Sequence, residues 1–191
     1  MIIDTHAHYD DEAFNEDREA LLCGMKEAGI EKIVNIGADL ASTKTTVELV
    51  KQYDFLYGAV GVHPSNVKEL NEENFAWLAE QCAQERIVMV GEIGLDYYWR
   101  QDNKELQHKF LIKQLELANQ LDLPVLFHDR DAHADTLEIL KRYKPKGVVH
   151  AFSGSVEMAR EIIKLGLYIG VGGVVTFKNA KKEEIIKSIP K

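Results

Sequence analysis

Seven times along this chain a short apolar run is followed by a stretch with helical periodicity, and that alternation restricts the fold more than any other feature. Strands joined by helices of this length run parallel, because a tight turn cannot carry the chain back to the start of a parallel neighbour. The strand-like runs cover residues 1–8, 31–37, 55–62, 87–92, 123–128, 147–150 and 168–172. Helical patterns occupy about residues 15–28, 42–52 with Ser42 as N-cap, 72–83, 104–121, 134–143, 156–165 and 181–188. No linker or low-complexity stretch interrupts the alternation. A single domain over residues 1–191 is therefore expected.

The ends of these runs carry the chemistry. In the first, Asp4, His6 and His8 sit two apart and share one face of a strand. The third run leads to His63, the fourth to Glu92, the fifth to His128 and the sixth to His150. A doubly wound open sheet places a ligand at one switch point, whereas a barrel gathers the carboxyl ends of all its strands around one mouth. Only the barrel brings these residues together, so a TIM-type (β/α) barrel is expected. One buried histidine is usually a satisfied core residue. Five strands ending this way point to a shared metal site, because neutral imidazole is the commonest ligand for divalent transition metals. His108 and His133 fall in or beside helical patterns and read as surface residues.

Composition narrows the class. A hydrophobic fraction of 46% with 28% charged residues describes an ordinary globular chain. No apolar run is long enough to span a membrane, and the N-terminus lacks the pattern of a secretory signal, so no membrane partner and a cytoplasmic location are expected. Cys23 and Cys82 fall in separate helices without metal-type spacing and read as free thiols. The net charge of −8 gives no general attraction for a phosphate backbone, so cations at the site must supply it.

Six motifs then carry a family resemblance. They are Asp4-Thr5-His6-Ala7-His8, Gly61-Val62-His63-Pro64, residues 91–98 (GEIGLDYY), residues 123–132 (LPVLFHDRDA), residues 150–155 (HAFSGS) and residues 175–180 (VTFKNA). Together, in this order, they resemble the TatD family of metal-dependent deoxyribonucleases, which belongs to the amidohydrolase-like TIM barrels. The resemblance implies hydrolysis of DNA phosphodiester bonds at a two-metal site. It implies that His6 and His8 hold the first metal, His128 and His150 the second, and that Glu92 bridges both as the catalytic carboxylate. His63 and Arg130 are expected to contact the substrate phosphate, and Asp96 and Asp129 to orient ligand imidazoles. Four imidazoles and a carboxylate favour Zn, Mn, Fe or Ni over Mg as the two divalent ions.

The resemblance also implies an eighth strand beyond Ile189-Pro190, carrying a Glu-Thr-Asp motif whose Asp completes the first metal site. The sequence stops at Lys191, whereas a full barrel runs to about 250 residues. A barrel lacking its last strand-helix unit is thus expected, with exposed edges on the first and seventh strands and a weaker first metal. Two other readings stand beside the deoxyribonuclease. One is a hydrolase of a small ester, amide or phosphate on the same barrel, and the other an inactive metal-binding fragment. The sequence does not set the oligomeric state.

Overall fold

The computed structural model describes residues 2–99, 102–178 and 183–190. Seven parallel strands lie side by side in sequence order, from β1 (Ile2–Ala7) through β2 (Ile30–Ile36), β3 (Leu56–Val60), β4 (Ile87–Asp96), β5 (Val125–Arg130) and β6 (Gly147–Val149) to β7 (Tyr168–Ile169). The helices between them are α1 (Arg18–Gly24), α2 (Leu40–Gln52), α3 (Glu72–Cys82), α4 (Lys104–Gln120), α5 (His133–Tyr143) and α6 (Val156–Lys164). After β7 come a short 3-10 turn (Gly173–Thr176) and α7 (Glu183–Ser188). Residues 179–182, part of the last motif and of the last expected helix, lie outside the described residues.

The sheet is an arc of a TIM-type barrel, and a side-chain contact proves the curvature. In a flat sheet β1 and β6 stand five spacings apart, about 24 Å at ~4.8 Å each. Yet the ring of His6 on β1 stacks on that of His150, the residue after β6, with centroids 4.4 Å apart and planes 9° from parallel. The free edges of the arc are β1 and β7 among the described residues, and Ile2, Ile3 and Tyr168 are exposed there.

Alternation along the strands separates two apolar layers. Ile33, Val60, Val90, Phe127 and Val149 join the main core under the helices. Their neighbours Ile36, Ala59 and Leu126, with Val34, Met89 and Val148, form a small separate cluster on the concave face. His128 and His150 share the parity of Leu126 and Val148, so the inner face runs from an apolar floor to an imidazole-rich rim.

Several boundaries differ from those expected. Ser42 is not the cap of α2. Asp39 is, accepting the Ser42 N–H at 2.7 Å, while the Ser42 hydroxyl accepts the Asp39 N–H at 2.9 Å. This reciprocal capping box moves the cap from Ser42 to Asp39, three residues earlier than the serine alone suggests. The first helix, expected over residues 15–28, is reduced to α1, because residues 15–17 and 25–28 form turns at its two ends. Strand β4 extends to Asp96 rather than ending at Glu92, and β7 is only two residues long.

Candidate metal centre

Glu92 lies inside β4, where the register with β5 breaks between Val90 and Ile93. That irregularity turns its carboxylate onto the concave rim, where it is 5% exposed. Its Oε2 faces His6 Nε2 at 3.8 Å and His8 Nε2 at 4.0 Å. Its Oε1 faces His150 Nε2 at 2.6 Å, His128 Nδ1 at 3.0 Å and His63 Nε2 at 3.6 Å. One carboxylate thus stands between two histidine pairs. Within the pairs, His6 Nε2 and His8 Nε2 are 3.1 Å apart, and His128 Nδ1 and His150 Nε2 are 3.3 Å apart.

These spacings suit a metal. Donor atoms 2.0–2.2 Å from a tetrahedral cation stand roughly 3.3–3.6 Å from one another. The donor atoms of His6, His8 and Glu92 lie within 4.8 Å of one another, as do those of Glu92, His128 and His150 and of His63, Asp96 and His128, so each group closes on a shared ion with shifts of about 1 Å or less. The tautomers agree for His8. Its Nδ1 lies 2.9 Å from the Ile36 carbonyl, an acceptor, so Nδ1 carries the proton and the Nε2 lone pair is directed to the cluster. His63 has the opposite arrangement: its Nδ1 accepts the Ser65 N–H at 3.2 Å, which leaves Nε2–H as a donor toward the centre.

Protonation follows from burial and charge. Burial is the main cause that lowers His6 to about 4, with His150 adding to it, and burial likewise lowers His63 to about 4. Both rings are neutral at pH 7, the state that ligates or donates through one nitrogen. Burial pushes the Glu92 carboxyl up, but hydrogen bonds from His128 and His150 outweigh it and hold the group well below its ordinary value. For His128 burial acts downward and is overcome by Glu92 and Asp96, which raise it. Its Nε2 lies 3.1 Å from Asp96 Oδ2, so Asp96 orients this imidazole.

Other expected residues sit differently. Asp129 does not face the cluster: it receives His133 at 2.5 Å and the Thr136 hydroxyl at 3.1 Å, which ties the end of β5 to α5. His133 and His108 are half-buried and partnered rather than free surface residues, His108 lying 2.6 Å from the Tyr97 hydroxyl. Asp4 turns back to accept the His6 N–H at 3.0 Å. Arg130 is exposed and lines, with His128 and His150, a cavity of about 400 Å³ beside the cluster.

Two residues with no charge or periodic signal hold the rim in place. Gln114 on α4 accepts the Val62 N–H at 2.7 Å and donates to the Val62 carbonyl at 3.2 Å, just before His63. Seven residues earlier on the same helix, Gln107 does the same for Asp96, at 2.9 and 3.0 Å. Both glutamines are buried and supply the hydrogen bonds that a ladder partner otherwise would.

A parallel barrel arc whose strand ends meet in a histidine and carboxylate cluster defines a metal-dependent hydrolase. The family described as TatD related DNase matches residues 3–191, and the chain belongs to it. The metal-dependent hydrolase YabD of Bacillus subtilis is 41% identical over 194 residues, covering 100% of this chain and 76% of its own length. The 3'-5' ssDNA/RNA exonuclease TatD of Cronobacter sakazakii is 32% identical over 165 residues, covering 85% of this chain and 63% of its own. Among solved structures, the TatD homologue YjjV of Escherichia coli superposes with a TM-score of 0.92 at 36% identity, over 99% of this chain and 75% of that one.

Proposed function

We propose that the chain hydrolyses phosphodiester bonds of DNA at a centre of two divalent metal ions, held by His6, His8 and Glu92 on one side and by Glu92, His128 and His150 on the other. The observation that carries this reading is the position of Glu92, whose two oxygens face different histidine pairs. Ions held there supply Lewis acidity at a phosphoryl oxygen and an activated water. Glu92 stays ionised in its surround of imidazoles and gives each side of the centre an anionic donor. His63 presents Nε2–H toward the same point and donates to a phosphate oxygen. Arg130, at the rim of the adjoining cavity, takes a second phosphate oxygen, for which a planar guanidinium is suited. The nucleic-acid substrate is supported by the family description and by the activity that the Cronobacter relative's name states.

The test is hydrolysis of single-stranded DNA with added Mn or Zn, run beside 4-nitrophenyl esters. Metal-dependent cleavage of DNA that stops in excess chelator is expected. DNA cleavage that persists unchanged in chelator would refute metal catalysis. Turnover of the esters with none of DNA would move the reading to a small-ester hydrolase, which the small size of the cavity favours.

A further inference from the structure

The phosphodiesterase reading leaves one surface feature beside the centre without a role. Tyr98 and Trp99 follow β4 after the buried Tyr97 and are 51% and 64% exposed. Their rings meet edge to face with centroids 4.7 Å apart. The Arg130 guanidinium lies over both, 4.0 Å from the Tyr98 ring and 5.3 Å from that of Trp99. Among the described residues no hydrogen bond or ion pair engages that guanidinium. A guanidinium held over aromatic rings by cation–π attraction still has N–H groups to offer an anion.

The pair is fixed from below. Asp96, 1% exposed, accepts the backbone N–H groups of Tyr98 and Trp99 on Oδ1, at 3.0 and 2.9 Å. Its other oxygen holds His128 at 3.1 Å. One buried carboxylate therefore sets the position of the aromatic pair relative to the histidine cluster. Arg130 connects them a second way, since it pairs with Asp96 across the β4 and β5 ladder and shares a cavity with His128 and His150. Exposed aromatic faces, a free cation laid on them and a rigid link to a phosphodiester-cleaving centre fit one kind of occupant.

We propose that Tyr98, Trp99 and Arg130 form a stacking platform for an unpaired nucleobase next to the scissile phosphate. The base lies against an aromatic face while the guanidinium takes the adjoining phosphate. Paired bases offer no free face, so the platform selects single strands, with little preference among bases because each has a π-face. An apolar peptide would cover the rings but bring no anion for Arg130. The proposal rests on the phosphodiesterase reading for its account of what lies next to the base.

The chain has two tryptophans, and Trp77 packs against the Val62, Leu78 and Phe110 cluster, so the same titration of Trp99→Leu, which keeps only Trp77, separates quenching at the platform from quenching elsewhere. The full chain in chelator, which prevents cleavage, is titrated with oligothymidylate and with an abasic strand of equal length and charge. Quenching by the base-bearing strand is expected, with roughly 5- to 150-fold tighter binding than to the abasic strand. The Tyr98→Leu/Trp99→Leu double variant, followed by fluorescence anisotropy of labelled strands, should bind both alike. Its thermal transition is measured beside wild type, and single variants replace it if the double variant is unfolded. Equal binding of both strands by wild type, absent quenching, or an undiminished base preference in the folded variant would each overturn the platform. Hydrolysis is assayed separately with Mn. Base-dependent binding without cleavage of either strand sinks the phosphodiesterase reading and leaves the platform standing. Cleavage of both strands at equal rates in wild type and variant sinks the platform and leaves the phosphodiesterase.

Discussion

Replacing Gly94 with Ala tests whether the register of β4 against β5 sets the centre. Gly94 has φ of +153° and pairs with His128 across the ladder. A Cβ added there would meet the His128 carbonyl oxygen at 1.9 Å, its carbonyl carbon at 2.7 Å and its nitrogen at 2.9 Å. The first contact is about 1.5 Å short of ordinary separation, and the obstacle is backbone, so the strands themselves must part. His128 meets Glu92 at 3.0 Å and Asp96 at 3.1 Å, and a shift above 1 Å breaks both contacts. Overpacking of this kind costs about 1–3 kcal/mol, which in a chain of this size lowers Tm by roughly 3–10 °C. Misplacing a catalytic group by about 1 Å costs on the order of 100-fold in rate. The assay is thermal unfolding followed by metal titration and Mn-dependent hydrolysis, with Gly24→Ala as the control because nothing lies within 4 Å of its added Cβ. A Gly94→Ala protein with wild-type Tm and wild-type metal affinity would show that the β4 and β5 spacing does not position His128.

Two further outcomes separate the parts of the site from the scaffold. Glu92→Gln removes the anion common to both histidine pairs, so calorimetric titration with Mn or Zn should show both equivalents weakened by at least the roughly 10- to 100-fold that loss of an outer partner costs, whereas His6→Ala should weaken mainly one; two equivalents at wild-type affinity in Glu92→Gln would remove the bridging role. Cys82 is buried, which pushes its thiol up to about 12, while Cys23 is exposed; thiol titration at pH 8 should count one reactive group in the native protein and two after denaturation, and two in the native state would contradict the packing of α3 on β3 and β4.

What was legible in the sequence is what a period of two writes into a strand. His6 and His8 at alternate positions, and His128 and His150 at the ends of short apolar runs, declare a shared face before any geometry is known. The alternation of runs and helices likewise declares parallel strands, and order around the arc follows from sequence order. That Glu92 joins the histidines was legible, but not that it lies mid-strand, because the register break that turns it inward is a property of two strands together. Ser42 misled for a related reason: a capping box has two polar residues, and only the helix geometry shows that Asp39 is the first. Asp129 carried the same chemistry as Asp96 on paper. The difference is parity: Asp129 follows His128 on the helix-facing side and finds His133 and Thr136 there. Gln107 and Gln114 left no signal, since a buried amide on an amphipathic helix looks like any surface glutamine until the backbone it satisfies is in place.

On the proposed function, an acidic chain has to hold a polyanion, and the geometry of the centre bears on how it would do so. The sequence carries a net charge of −8, while the two groups around Glu92 draw on four imidazoles and a single shared carboxylate. With divalent ions bound to such a donor set, the centre carries net positive charge in a partly desolvated rim, where fixed charges act more strongly than at the surface. On that proposal, attraction for phosphate would be local and conditional on metal, with Arg130 adding to it without metal. The proposed stacking on Tyr98 and Trp99 would depend on neither. Asp96 joins the two components, because its oxygens hold His128 on one side and the aromatic backbone on the other. An Asp96→Asn amide would keep one acceptor oxygen but not both, so the platform and the imidazole cannot both retain their present partners.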